Sequence, residues 1–198
     1  MADAKISIEQ IKKLKELSGV GLTDAKQALV EAKGDFDKAL EAMRKKGLTK
    51  AEKRGDRETR EGLIDSYIHD GRLGAIVEVN CETSFVAKTD EFKTLAHQIA
   101  MQVASMNPLY VSEEDIPEDV KAAKIKELEE NFKGPENMKE QILAGQAKKA
   151  FSDKVLMNQP FILDDTKTVE QFIKEAIAKT GENITVRQFK RIELGVTE

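Results

Sequence analysis

Apolar side chains recur every third or fourth position through residues 1–47 and are interrupted by glycines, which predicts three short helices. Ser7 and Gln10 form a capping-box pattern, and Ile8, Ile11, Leu14 and Leu17 then share one face as far as Gly19. Thr23 is placed to cap a second helix, with Ala25, Ala28, Leu29 and Ala32 inward and Gly34 closing it. Asp35 caps a third, with Phe36, Ala39, Leu40 and Met43 inward and Gly47 at its exit. Three amphipathic helices of about eleven residues can share one small core. Between 48 and 61, charges of both signs crowd around Gly55, which reads as a linker or a solvated helix.

The period then drops to two. Leu63 to His69 alternates, Asp70-Gly71 follows, and Leu73 to Cys81 is rich in β-formers. Asp-Gly between two such runs predicts a hairpin, because both residues tolerate positive φ. A third strand spans Asn183 to Leu194; its apolar positions change parity between Val186 and Phe189 and again at Ile192, which suggests a bulge. Helices fill the interval. Asp90 is placed to cap one bearing Phe92, Leu95, Ala96, Ile99, Val103 and Met106, stopped by Asn107-Pro108. Pro117 and Pro135 suit first turns of two more, the first ending before Gly134 and the second near Val155–Leu156. Thr168 with Gln171 opens a last helix to about Lys179. The expected fold is α+β: a three-helix unit over residues 1–54, then a core over 55–198 in which helices pack on a three-stranded antiparallel sheet.

Composition narrows the chemistry. With 32 basic and 36 acidic side chains the net charge is −4, which argues against direct nucleic-acid binding as the main activity. No apolar run is long enough to span a membrane, and the start of the chain lacks the look of a signal or transit peptide, so a cytoplasmic protein is expected. One cysteine, Cys81, excludes an internal disulfide. Neither His69 nor His97 has a ligand at metal-binding spacing, and Gly19-Val20-Gly21 lacks the strand and third glycine of a dinucleotide site. With no nucleophile–base pair, metal cluster or phosphate loop, the chain is a poor enzyme candidate, and neither a cofactor nor a catalytic residue is expected.

Apolar side chains that a core does not obviously need occur in two places. Leu22 follows the Gly19-Val20-Gly21 turn, and Phe85 and Val86 follow the hairpin among Glu82, Thr83, Ser84, Lys88 and Thr89. An aromatic raised on a short connector either enters a partner's pocket or folds back onto its own helix.

The same segments carry a resemblance. Lys13 to Leu29, Val77-Glu78-Val79-Asn80-Cys81-Glu82-Thr83-Ser84-Phe85-Val86-Ala87-Lys88, Gln159-Pro160-Phe161 and Arg191-Ile192-Glu193-Leu194-Gly195 resemble, in order, the signatures of the bacterial elongation factor Ts family. The resemblance implies a guanine-nucleotide exchange factor for the GTPase elongation factor Tu, acting by binding. It implies a ubiquitin-associated-like N-terminal unit that meets the GTPase through Val20, Gly21, Leu22 and Thr23. It also implies that Thr83, Ser84, Phe85 and Val86 reach the GTPase, with the aromatic wedging between helices and displacing the bound magnesium ion. In that family Ser84 is generally an aspartate, so a carboxylate role is lost or weakened here. Gln102 matches a position where the second core repeat of long members carries a functional histidine. The segment from Ala96 to Tyr110 occurs only once in this chain, which is similar to the short form that pairs as a homodimer. Two rival readings are a ubiquitin-associated-like adaptor without exchange activity, which leaves residues after 62 unexplained, and a small enzyme of unfamiliar type.

Overall fold

The structure is a computed structural model that describes residues 6–18, 21–132 and 138–196, apart from the side chains at 44, 48–50 and 52. The expectations resting on Gly19, Val20, Gly134 and Pro135 lie outside the described residues. In chain order the elements are α1 (Ile8–Ser18), α2 (Leu22–Glu31), α3 (Phe36–Glu52), β1 (Glu61–His69), β2 (Leu73–Cys81), α4 (Ser84–Ala87), α5 (Asp90–Met106), α6 (Glu118–Glu130), α7 (Lys139–Ser152), β3 (Pro160–Phe161), β4 (Asp164–Thr168), α8 (Val169–Thr180) and β5 (Ile184–Glu193). Helices combine with a three-stranded antiparallel sheet in the order β1-β2-β5, so the class is α+β. The chain divides into two compact units, Met1–Leu63 with Val79–Leu95 and Gln171–Thr185, and Ile64–Glu78 with Ala96–Glu170 and Val186–Glu198.

In the first unit, the capping box forms in both directions: Ser7 N donates to Gln10 Oε1 and Gln10 N to Ser7 Oγ, each at 3.0 Å. Asp35 caps α3 by accepting from Lys38 N at 3.1 Å. Gly34, at φ 83°, ends α2 by donating to Leu29 O at 2.8 Å, a left-handed position that glycine fills without a Cβ clash. Ile11, Leu14, Ala25, Ala28, Leu29, Ala39 and Met43 form the small core, with Phe36 and Leu40 packed beside it. Ile8 and Leu17, expected on the inner face, are exposed. Each lies three positions outside the buried pair Ile11 and Leu14, which already fill this narrow core from α1.

Three local expectations change. Thr23 does not cap α2; the N-cap is Gly21, with no side-chain cap, and Ala25 N bonds Gly21 O at 3.0 Å. Gly47 does not end α3, which runs on to Glu52 with Gly47 and Ala51 buried. A Cβ on Gly47 would lie 3.2 Å from Ala178 Cβ in α8, so the glycine serves close helix approach rather than a turn. Residues 48–52 are therefore helix, and the solvated stretch is confined to the segment before β1. Asp90 is not the cap of α5: Thr89 is, its Oγ1 accepting from Phe92 N at 3.2 Å.

The hairpin forms as expected. Asp70 and Gly71 take φ of 49° and 66°, and Arg72 N closes the turn on His69 O at 3.0 Å. In the second unit, Arg191 Nε of β5 donates to Ala104 O of α5 at 2.9 Å, and His97 Nδ1 of α5 lies 3.2 Å from Asp65 Oδ2 of β1. The buried side of β5 passes from Ile184 and Val186 to the odd positions Phe189 and Arg191, while Ile192 is exposed. The parity change before Phe189 is real, but the return at Ile192 is not, because Arg191 takes the inward position and hydrogen-bonds there.

Where α7 was expected to reach Val155–Leu156, it stops at Ser152. Tyr110 instead bridges to Val155, and a small hairpin, β3 with β4, follows. Its anchor is an amide pair. Gln102, fully buried, donates from Nε2 to Gln159 Oε1 and to Pro160 O, both at 3.1 Å, and accepts from Ile162 N at 2.8 Å. Gln159 donates in turn to Met106 O at 3.2 Å and Asp153 O at 2.8 Å. Each polar atom of the two side chains is engaged, which is the condition for burying amides without a large penalty.

Candidate functional site

The segment after β2 is built to hold one side chain out. Thr83 has extended backbone (φ −130°, ψ 151°) and caps α4, its Oγ1 accepting from Val86 N at 3.5 Å while Ala87 N bonds Thr83 O at 3.2 Å. Thr89 Oγ1 closes the other end on Val86 O at 2.8 Å. In one helical turn, positions 83 and 87 share a face and position 85 points to the other. Ala87 is accordingly buried, whereas Phe85 is 85% exposed, and Ser84 and Val86 are half-buried. Of the two readings left open for Phe85, folding back onto its own helix is the one the structure excludes.

The base of this turn is tied down from four sides. Cys81, buried, donates from Sγ to Thr83 O at 3.2 Å. Burial first, and then the charge of Glu182, pushes its thiol up to about 11, so it is a packed donor and a poor nucleophile at neutral pH. Glu182 accepts from Thr83 N at 3.0 Å and from Thr83 Oγ1 at 2.6 Å. Glu82 accepts from Asn183 N at 2.6 Å and faces Arg57 Nη1 at 3.4 Å. Asn183 Nδ2 reaches back to Gly55 O at 3.1 Å and Arg57 O at 2.8 Å.

The second candidate patch is the start of α2. Gly21, Leu22 and Thr23 are all exposed, Leu22 by 51%, and Asp24 beside them pairs with Lys46 of α3 at 3.1 Å. Both patches belong to the first compact unit. Val20, expected with them, lies outside the described residues.

The remaining sequence candidates take other places. Gln102 is interior, so it presents nothing to a partner. His97 pairs with Asp65, and His69 Nδ1 lies 3.0 Å from Tyr67 Oη on the hairpin. Among the described residues, no group of three His, Cys, Asp or Glu side chains converges as a metal site would, and no helix is long and apolar enough to cross a membrane. Sequence reading missed Glu182 and Asn183. They act across about a hundred positions, and only Gly181 before them, at φ 82°, hints at a turn.

What the two patches offer is exposed apolar surface, in the case of Phe85 on a backbone tied down by hydrogen bonds. The comparisons with known proteins agree on one family. The family described as Elongation factor TS matches residues 4–196. Elongation factor Ts of Thermotoga maritima is 51% identical over 96% of this chain and 97% of its own length. That of Moorella thermoacetica is 49% identical over 96% of both chains. That of Rippkaea orientalis is 49% identical over 97% of this chain but 79% of its own. The chain belongs to the elongation factor Ts family.

Proposed function

We propose that the chain binds elongation factor Tu carrying GDP and promotes release of the nucleotide by disturbing its phosphate and magnesium site. The observation that supports this most is Phe85, held out to solvent on a turn whose base is fixed. Phe85 enters between helices of the GTPase, with Thr83, Ser84 and Val86 shaping the approach. Val20, Gly21, Leu22 and Thr23, on a ubiquitin-associated-like unit spanning residues 1–54, supply a separate contact with the GTPase. The core spanning 55–198, with its single repeat, carries the wedge. Ser84 cannot supply the carboxylate that the family usually has there, so in this chain the aromatic acts without it. No bond is made or broken by the factor, which acts in the cytoplasm as a binding protein and not as an enzyme. The adaptor reading accounts for α1, α2 and α3 alone, whereas the family match runs to residue 196.

An exchange factor obeys linkage: if it weakens GDP binding by some factor, GDP weakens its own binding equally. Calorimetric titration of elongation factor Tu with this chain should therefore show much lower affinity at saturating GDP than without nucleotide. Equal affinities would contradict the proposal.

The chain also works as a homodimer in this reading. Support comes from the outer face of the sheet, where Ile64, Ile68, Ile76 and Ile192 are exposed on a monomer. Gly74 lies on the same face, where a Cβ would sit 3.6 Å from Ile68 Cγ1. Sedimentation at micromolar concentration should give a dimer; a monomer throughout would count against it.

A further inference from the structure

We propose that Glu182 is a positioning residue for Phe85, so that a turn about a hundred residues away sets the angle of the wedge. The inference rests on the wedge reading above. Phe85 is so exposed that its own packing cannot orient it. Its direction follows from the backbone of Thr83, the residue on which α4 starts. Thr83 has two groups free to donate, its N–H and its hydroxyl, and both go to one carboxylate, Glu182, at 3.0 and 2.6 Å. The hydroxyl oxygen still accepts from Val86 N, so a single atom links the carboxylate to the helical turn. The tie is reciprocal: Glu82, the residue before Thr83, accepts from Asn183 N, the residue after Glu182, at 2.6 Å.

Both ties between the two segments end on a carboxylate, Glu182 in one and Glu82 in the other. One cation, Arg57, faces Glu82 in this clasp at 3.4 Å. An uncharged pair would also join the two segments. What the carboxylates add is strength and direction, since hydrogen bonds to an ionised acceptor are short and about twice as strong as neutral ones. Such bonds fix the Thr83 turn rather than merely bury it. Asn183 extends the clasp to Gly55 and Arg57, and Arg54 Nη1 reaches Ile177 O at 3.3 Å in α8. The segment leaving α3 is thereby fastened to the same support as the wedge.

The test compares Glu182→Ala and Glu182→Gln, each alone and combined with Phe85→Ala. Release of fluorescent GDP from elongation factor Tu is followed over a range of factor concentrations. Glu182→Ala should lower the saturating release rate about tenfold, the loss of one charge-assisted tie, with the half-saturating concentration changed much less. Glu182→Gln keeps one acceptor oxygen and should recover part of the rate. Combined with Phe85→Ala, Glu182→Ala should add nothing, because it acts through the ring. Effects that multiply in the double variant, or a normal rate in Glu182→Ala while Phe85→Ala is slow, overturn the positioning role alone. A normal rate in Phe85→Ala overturns the wedge reading and this inference with it. If Glu182→Ala melts below the assay temperature, Thr83→Val, which removes the hydroxyl and keeps the N–H, should show part of that rate loss and the same non-additivity; a normal rate there overturns the proposal.

Discussion

Phe85→Ala should leave the fold as stable as before and slow GDP release from elongation factor Tu by about ten- to a hundredfold at saturating factor. The two halves of this expectation come from one number. Phe85 is 85% exposed in the free chain, so truncating it removes almost no buried surface and its stability cost falls within the range of ordinary surface changes, about 0.5 kcal/mol. In the proposed complex the ring is buried in the partner, and burying a Phe side chain is worth roughly 1.5–3 kcal/mol. At 1.4 kcal/mol per tenfold, that gives the stated range. If the ring distorts the GTPase as proposed, its removal should act on the saturating rate more than on the concentration needed for half saturation. A variant that melts at a clearly lower temperature would mean that Phe85 is part of the protein's own core. Unchanged release kinetics would remove it from the mechanism.

Gln102→Leu should do the opposite. The leucine fits the volume but strands Gln159 Oε1, Pro160 O and Ile162 N, which Gln102 satisfies in the native chain. Leaving a buried polar group unpaired costs about 1–3 kcal/mol, so a loss of about 3 kcal/mol or more is expected after relaxation. For a chain of this size that lowers the melting temperature by about 6–12 °C. The saturating exchange rate below the melting range should stay near normal, since Gln102 is interior and belongs to the amide pair that anchors β3. A melting temperature within about 2 °C of the native one would show that the network contributes little.

These two residues also mark how far sequence could be read. Phe85 was visible as an aromatic in a polar connector, but its exposure depends on which face of a single helical turn meets the core, and that is fixed by Thr83 and Ala87. Gln102 stood out only as the position at which the second core repeat of long family members carries a functional histidine. Its role depends on Gln159, 57 positions later, and on a two-residue strand too short to leave a period. The caps at Ser7 and Asp35, the Asp70-Gly71 turn and the stop at Asn107 were legible because each is decided within a few residues. Gly47 was misread as a helix exit because the same residue type serves turns and close packing, and Ala178, which decides between them, lies far along the chain. The clasp between residues 82–83 and 182–183 was beyond local reading for the same reason. Glu182 and Asn183 sit in a plain polar turn until the fold brings Thr83 to them.

The proposed function requires that this chain accelerate loss of GDP from elongation factor Tu. The most direct measurement mixes the GTPase carrying fluorescent GDP with excess unlabelled GDP and increasing amounts of the unmodified chain in a stopped-flow instrument. The release rate should climb with factor concentration to a plateau far above the spontaneous rate. A complex that forms while the labelled nucleotide leaves at its spontaneous rate would contradict the proposal.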